Sequence, residues 1–331
     1  MAENLIPIFV VAALVFAVVR AGREPLWAEA YRRLRRNRLA LAALAVIGVY
    51  ALIGILDSIG WQSEKNAPRR TVVDRLFERP RERTYSAPLA THTTGEPTPH
   101  KLLGKHLLGT DGVGEDVLYR TLKGCRTALI VGGLTSLLVT PLALLLGMSA
   151  GYFGRRVDDA VQYVYTVLDA IPGILLLIAL MMVLGKGLVQ LCIALGVTRW
   201  IGLCRLARGE TLKHRDREYV RAARALGVGH ARILVRHILP NLLPLLVISI
   251  TLGFSGLVLS EAILSYLQIG VEAGTGSWGN MIDAARLELA REPVIWWNLA
   301  AASGALFLLV LAFNLFGDAL RDAIDPRLRS A

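Results

Sequence analysis

The chain has 331 residues, 37 Lys+Arg against 26 Asp+Glu for a net charge of +11, and 54% hydrophobic residues at a mean hydropathy of +0.50. A soluble domain of this size has too little interior to hide that much apolar surface, and the same composition excludes disorder and collagen-like repetition. The charge suits a nucleic-acid binder but the hydropathy does not, so the chain reads as an all-α polytopic membrane protein.

A membrane-crossing helix needs roughly 20 apolar residues. The first apolar run, Leu5–Val19, is shorter and contains Pro7; no basic segment precedes it and arginines follow it, so it reads as an added helix with its N-terminus outside rather than as a secretory signal or a surface-lying segment. Six longer runs follow at Leu39–Leu56, Ala128–Tyr152, Tyr163–Leu184, Leu188–Leu206, Leu239–Leu264 and Trp297–Phe316. Residues 20–38 hold seven arginines against two glutamates, a net of +5, and residues 205–236 hold nine Lys/Arg against three acids, a net of +6. Short loops this basic stay cytoplasmic, and both fall inside if the seven runs alternate.

These signals divide the chain into an N-terminal helix with a basic segment (1–38), a first core span (39–56) and an extracytoplasmic excursion (57–126). A core (127–319) with a cytoplasmic loop at 205–239, and then a cytoplasmic tail (320–331), complete it. The stretch 62–100, rich in Pro, Thr, Arg and Glu, reads as extended or loosely ordered. Cys125, Cys192 and Cys204 lie in or beside apolar stretches and read as small buried hydrophobes. His92, His100 and His106 share a polar segment at no spacing typical of a metal site.

The 205–240 loop is the most informative stretch. Residues 216–227 read as a short helix stopped by Gly227, with Tyr219, Ala222, Ala223 and Leu226 on one apolar stripe and Arg217, Arg221 and Arg224 away from it. Pro240 stands at the mouth of the next span. Two small alanines would let a partner surface approach closely; an amphipathic helix resting on anionic lipid reads equally well from the pattern.

Ala222-Ala223-x3-Gly227-x11-Leu239-Pro240 resembles the coupling loop of ATP-binding-cassette importer permeases. The surrounding Glu218–Gly227 and Arg236–Asn241 resemble the dipeptide/oligopeptide/nickel branch, including Arg221 where the general importer pattern has Glu and His237 where it often has Ile. Leu108-Gly109-Thr110-Asp111-Gly112-x-Gly114-Glu115-Asp116 is similar to that branch's segment before its second core span, with Leu107 in place of Pro and Glu115 in place of Arg. Gly151-Tyr152-Phe153-Gly154, Asp169-Ala170-Ile171-Pro172, Glu261-Ala262-x2-Ser265-Tyr266-Leu267, Ser277-Trp278-Gly279-Asn280-Met281 and the 314–326 segment follow in order. The C-terminal arrangement resembles the second permease of the usual pair.

The resemblance implies a six-helix importer core in a bacterial cytoplasmic membrane, with the C-terminus cytoplasmic. It implies a second homologous permease, two ATPase subunits that hold ATP and Mg, an extracytoplasmic binding protein and a peptide-type substrate, within membrane lipid and without nucleic acid. This chain itself binds no cofactor or metal and is no enzyme; it has no GxxxxGK[ST] sequence for phosphate. Glu218, Tyr219, Ala222, Ala223, Leu226, Gly227 and Pro240 become the ATPase-coupling residues. Asp169, Pro172, Glu261, Trp278 and Asn280 become candidates for the translocation path or gate.

Other readings of those five stand beside this one. Asp169 and Glu261, carboxylates inside apolar runs, either line the path or pair structurally with Arg199 or a cation of another subunit. Pro172 gives a hinge or a plain packing kink. Trp278 with Asn280 forms a re-entrant turn or an interfacial anchor. The alternative cargoes on the same scaffold are nickel, haem or another small molecule. From a different class, the chain reads as a membrane scaffold whose basic loops grip phospholipid.

Overall fold

The computed structural model describes residues 25–61, 70–95 and 98–324. The Leu5–Val19 run, residues 62–69 and the tail beyond 324 lie outside the described residues. Helix α1 (Pro25–Arg36) ends in Arg33, Arg35 and Arg36 and buries Ala30. The Asn37 side chain then accepts from the backbone N–H groups of Leu39 and Ala40, which opens α2 (Arg38–Ser58). This helix is apolar on every face and leaves Leu41, Leu44, Val49 and Leu52 exposed, the pattern of a helix solvated by lipid.

Strands β1 (Gly60–Trp61) and β2 (Arg70–Thr71) pair antiparallel, and α3 (Val72–Phe77) follows with a reciprocal cap between Thr71 and Asp74. Asp116 caps α4 (Val117–Phe153), whose 37 residues at 1.5 Å each give about 55 Å, more than the ~30 Å hydrocarbon core. Its first turns therefore project beyond the bilayer and carry the 70–116 segment. Then come α5 (Arg155–Asp169), α6 (Gly173–Leu184), α7 (Leu188–Thr198), α8 (Trp200–Arg215) and α9 (Glu218–Ala225). A short α10 (His230–Arg232) runs through a π-helical turn at Ile233–Ile238 into α11 (Leu239–Tyr266), and α12 (Trp278–Glu288) and α13 (Trp297–Ile324) finish the described chain.

Among the described residues five helical stretches are long and apolar enough to span, and the α5–α6 pair makes a sixth if it is counted as one broken crossing. The six longer runs read from the sequence all fall on these stretches. The difference lies at Tyr163–Leu184, which is no straight span: α5 and α6 meet at 85°. Pro172 has no N–H to continue α5 and disfavours helix in the residue before it, so the chain leaves the helix at Ala170 and restarts at Gly173.

The segment after α3 is also more ordered than its composition suggests. Glu82 N–H donates to Gly114 O at 2.9 Å and Thr110 N–H to Ser86 O at 3.0 Å, and the Thr110 hydroxyl reaches Thr84 O at 2.8 Å. His106 is fully buried, with Nδ1 2.8 Å from Asp116 and Nε2 3.2 Å from Glu82, so both ring nitrogens face carboxylates. The backbone N–H groups of Leu103 and Gly104 also donate to Glu82. Trp297 Nε1 donates to Thr110 O at 2.9 Å, which fastens this layer to α13. Beneath it Lys123 bridges Asp57 at 2.7 Å and Asp74 at 2.6 Å. Polar residues with specific partners substitute here for an apolar core, which periodicity cannot reveal.

Glu288, at the end of α12, is buried and accepts from Asn298 Nδ2 at 3.2 and 3.4 Å. Burial pushes its carboxyl above the ordinary value of 4.5. A raised folded pKa means stability that is complete below about 4.5 and falls as pH rises through the folded value. The Asn298 Oδ1 beside it is buried without a donor. Glu288→Gln removes the charge and supplies that donor, so the variant melts at a higher temperature than the parent near neutral pH and the gap closes on acidification. A lower melting temperature at neutral pH would contradict this account.

Candidate functional site

The 205–239 loop is built from α8 outward. Val220 and Ala223 of α9 point into the chain, joining Met148, Tyr152, Ala207, Ile233 and Ile238 in one buried cluster. Tyr219, Ala222 and Leu226 point away, Leu226 with 83% of its surface exposed. The stripe read from the sequence is thus split. Ala223 belongs to the face that holds the loop in place, not to the face offered outward. Simple i, i+3, i+4, i+7 counting merges the two because inward Val220 and Ala223 and outward Tyr219, Ala222 and Leu226 are neighbouring flanks of one apolar stripe.

Polar contacts fix the helix further. Arg224 Nε donates to the Tyr152 hydroxyl at 3.2 Å with its guanidinium 4.8 Å over the ring, and the same hydroxyl lies 2.9 Å from His230 Nδ1. On the other side the Tyr219 hydroxyl lies 2.8 Å from His214 Nδ1 and receives Asn241 Nδ2 at 3.5 Å. Gly227 stops the helix at φ +75°, a backbone conformation that costs other L-residues roughly 1 kcal/mol or more. Arg217, Glu218 and Arg221 are exposed around the outward face. Pro240 sits in the first turn of α11, directly after the π-helical turn at Ile233–Ile238.

The bent α5–α6 pair forms one wall of a cleft of about 380 Å³ whose opposite wall comes from Thr198, Arg199, Ile201, Gly202 and Arg205. Asp169 and Pro172 line it, and Asp169 receives Arg205 at 2.7 Å with both side chains half-exposed. Arg199 donates to Ser260 Oγ at 2.6 Å. The expected pairing of Asp169 or Glu261 with Arg199 is therefore absent: Asp169 is taken by Arg205, six residues further on in α8.

Glu261 and Trp278 are buried in the chain's own packing and do not line the Asp169 cleft. Glu261 is 1% exposed and accepts from Ser277 at 2.6 Å and Ser265 at 2.8 Å, tying α11 to the start of α12. Trp278 is 1% exposed, packs edge-on against Tyr50 and donates Nε1 to Thr121 O at 2.9 Å, so its ring is buried against α2 and α4. Asn280 Nδ2 donates to the carbonyls of Glu272 and Thr275 and closes the preceding loop. Arg205 is the charged cleft residue the motifs do not single out, while Arg199 enters from the sequence only as a structural partner for Asp169 or Glu261. The signal for them is a cation inside an apolar span.

Residues 143–330 match a family described as the binding-protein-dependent transport system inner membrane component, and residues 25–68 match the N-terminal transmembrane domain of oligopeptide transport permease C. The chain belongs to this permease family. It is 33% identical over 304 residues to the oligopeptide transport system permease protein OppC of Bacillus subtilis, covering 92% of this chain and 90% of that one. It is 32% identical to the dipeptide transport system permease protein DppC of Alkalihalophilus pseudofirmus, covering 92% and 91%, and 36% identical over 228 residues to a di/tripeptide permease of Pseudomonas aeruginosa, covering 69% and 74%. The permease family match contains the whole α8–α11 loop and the Asp169 cleft, so both candidate regions lie within its characteristic domain.

Proposed function

We propose that this permease is the transmembrane subunit of an ATP-driven, binding-protein-dependent importer of di- and oligopeptides, working in a bacterial cytoplasmic membrane. A second homologous permease encloses the path with it, two ATPase subunits hold ATP and Mg, and an extracytoplasmic binding protein delivers the peptide. The loop at 205–239 and the C-terminus face the cytoplasm, the N-terminus and the 57–126 segment the outside. The relatives of similar length support the peptide cargo, being themselves peptide permeases by name.

The observation that carries the reading is α9, an exposed apolar face on a helix whose other face is locked to its own chain. Such a helix suits rigid-body transmission. A partner that grips Tyr219, Ala222 and Leu226 moves Val220 and Ala223, and with them α4, α8 and the start of α11. Closure of the ATPases on ATP would open the path outward and hydrolysis would return it inward, an alternation between two packed arrangements. Phosphate chemistry stays in the ATPase subunits.

Purification through a tag on this chain, with its gene neighbours co-expressed, tests the reading. The expected product is a complex holding a second multi-span subunit and an ATPase, whose hydrolysis rises with peptide-loaded binding protein and which fills proteoliposomes with peptide. A stable solitary chain overturns it.

A further inference from the structure

Arg199 is a cation deep in a membrane span. It is the twelfth residue of the Leu188–Arg215 stretch, about 17 Å from its start at 1.5 Å per residue. It caps the end of α7 and the beginning of α8, at φ −90° and ψ 0°, so the side chain leaves the helix pair at a break rather than from its middle. Its one hydrogen bond goes to a neutral hydroxyl, Ser260 Oγ. Among the described residues no carboxylate forms an ion pair with it. An intramembrane guanidinium normally finds an anionic partner, and its five N–H donors suit a bidentate carboxylate.

The surroundings supply a place for that partner. Arg199 and Asp169 line the same cleft of about 380 Å³, within the size range of small-molecule sites. Leu168, Ile171, Pro172, Leu176 and Ile201 add apolar lining, and Thr198 and Arg205 add polar lining. Asp169 stays half-exposed although Arg205 pairs with it. The cleft therefore holds a cation with unused donors, Arg199, and a half-exposed carboxylate, Asp169, that shares one cation with the same lining, Arg205. A free peptide has the complementary charges at its two ends and an apolar or neutral body between them.

We propose that this cleft is a peptide-terminus site within the permease: Arg199 receives the substrate's C-terminal carboxylate, and Asp169 the terminal ammonium in competition with Arg205. The assignment rests on the importer reading above and adds the residues and the polarity of binding. Recognition of the ends alone leaves the side chains unread. The site would then hold varied peptides weakly, which passage requires.

The test is binding of trialanine and of trialanine amide to the purified complex without the binding protein, followed by saturation-transfer NMR. The parent complex is expected to bind the acid about 10- to 100-fold more tightly than the amide, the ratio given by one charge-assisted pair. Arg199→Gln brings both peptides to the weaker affinity, while Arg199→Lys keeps part of the preference. Asp169→Asn removes discrimination against N-acetyl-trialanine. Equal binding of acid and amide by the parent overturns the site, and so does loss of the second permease from the Arg199→Gln complex, which would show that the cation meets a carboxylate of that subunit instead. Peptide uptake into proteoliposomes with the binding protein present separates the two levels. Uptake that persists without an acid preference removes this site and leaves the importer reading standing; absence of uptake removes both.

Discussion

Leu226→Glu should abolish peptide uptake while leaving the subunit folded and inserted. Leu226 is 83% exposed, so a charge there costs the isolated chain little, within about 0.5 kcal/mol. On a docking face the same charge is buried against an ATPase surface that has no partner for it. Such a defect at the centre of an interface costs about 3 kcal/mol or more, a loss of about 100-fold in affinity. Ala222→Glu, one turn earlier on the same face, should behave alike. Ala223→Glu separates the docking account from a general defect. Ala223 is 6% exposed and sits among Tyr152, Met148 and Ile233. Glutamate there overfills a packed cluster, and the expected result is a lower melting temperature and loss of monodisperse protein, not an intact but uncoupled subunit. Size-exclusion chromatography of the three variants, with uptake and ATPase rates for those that survive, reads the difference. Normal uptake with Leu226→Glu removes α9 from the interface.

What could be read before folding follows from the range of the forces involved. The spans are written in local composition, because a helix in lipid must satisfy its own backbone and cover itself with apolar side chains. Their approximate positions are therefore visible one segment at a time, and the break at Pro172 is visible for a similarly local reason. The partners of charged groups are not local. Asp169 takes Arg205 rather than Arg199 because the bend between α5 and α6 decides which turn of α8 it meets. Glu261 looks like a path residue in the sequence, yet its partner Ser277 is 16 positions away and comes into reach only through the Leu267–Gly276 turn. Trp278 follows the same logic, its Nε1 partner lying 157 residues earlier. The His106–Glu82–Asp116 set has no periodicity to betray it. Composition exposes what each segment must do for itself; it is silent on contacts that need two segments to arrive together.

The second large effect is expected at Gly147 and Gly151. These two residues, four apart on α4, face α8 at backbone distance. A Cβ at Gly151 would stand 2.6 Å from Arg208 O and 2.8 Å from Thr211 Cβ, and one at Gly147 would stand 2.5 Å from Cys204 O. The obstructing atoms include main-chain oxygens, so no rotamer change relieves them and the helices must separate. Small residues at this spacing are the usual device for close helix approach in a membrane. Gly151→Val should therefore cost about 3 kcal/mol or somewhat more, at the upper end of overpacking effects. The functional consequence follows from chain order, since α8 continues through Asp216 and Arg217 into α9. Arg208 clamps Asp158 at 2.5 and 2.7 Å, and Arg215 Nη1 donates to Gly151 O at 3.4 Å, so α4, α5 and α8 move as one body only while the contact is tight. A separated pair removes the close α4–α8 contact and leaves the Tyr152 contacts of α9 to carry α4 alone, a looser linkage. The expected signature at a temperature where the complex remains assembled is continued ATP hydrolysis with fewer peptides imported per ATP. Gly209→Ala is the control, because nothing lies within 4 Å of its Cβ position and alanine favours the helix. If Gly151→Val imports as many peptides per ATP as the control, the α4–α8 contact is only a packing feature and motion reaches the path by another route.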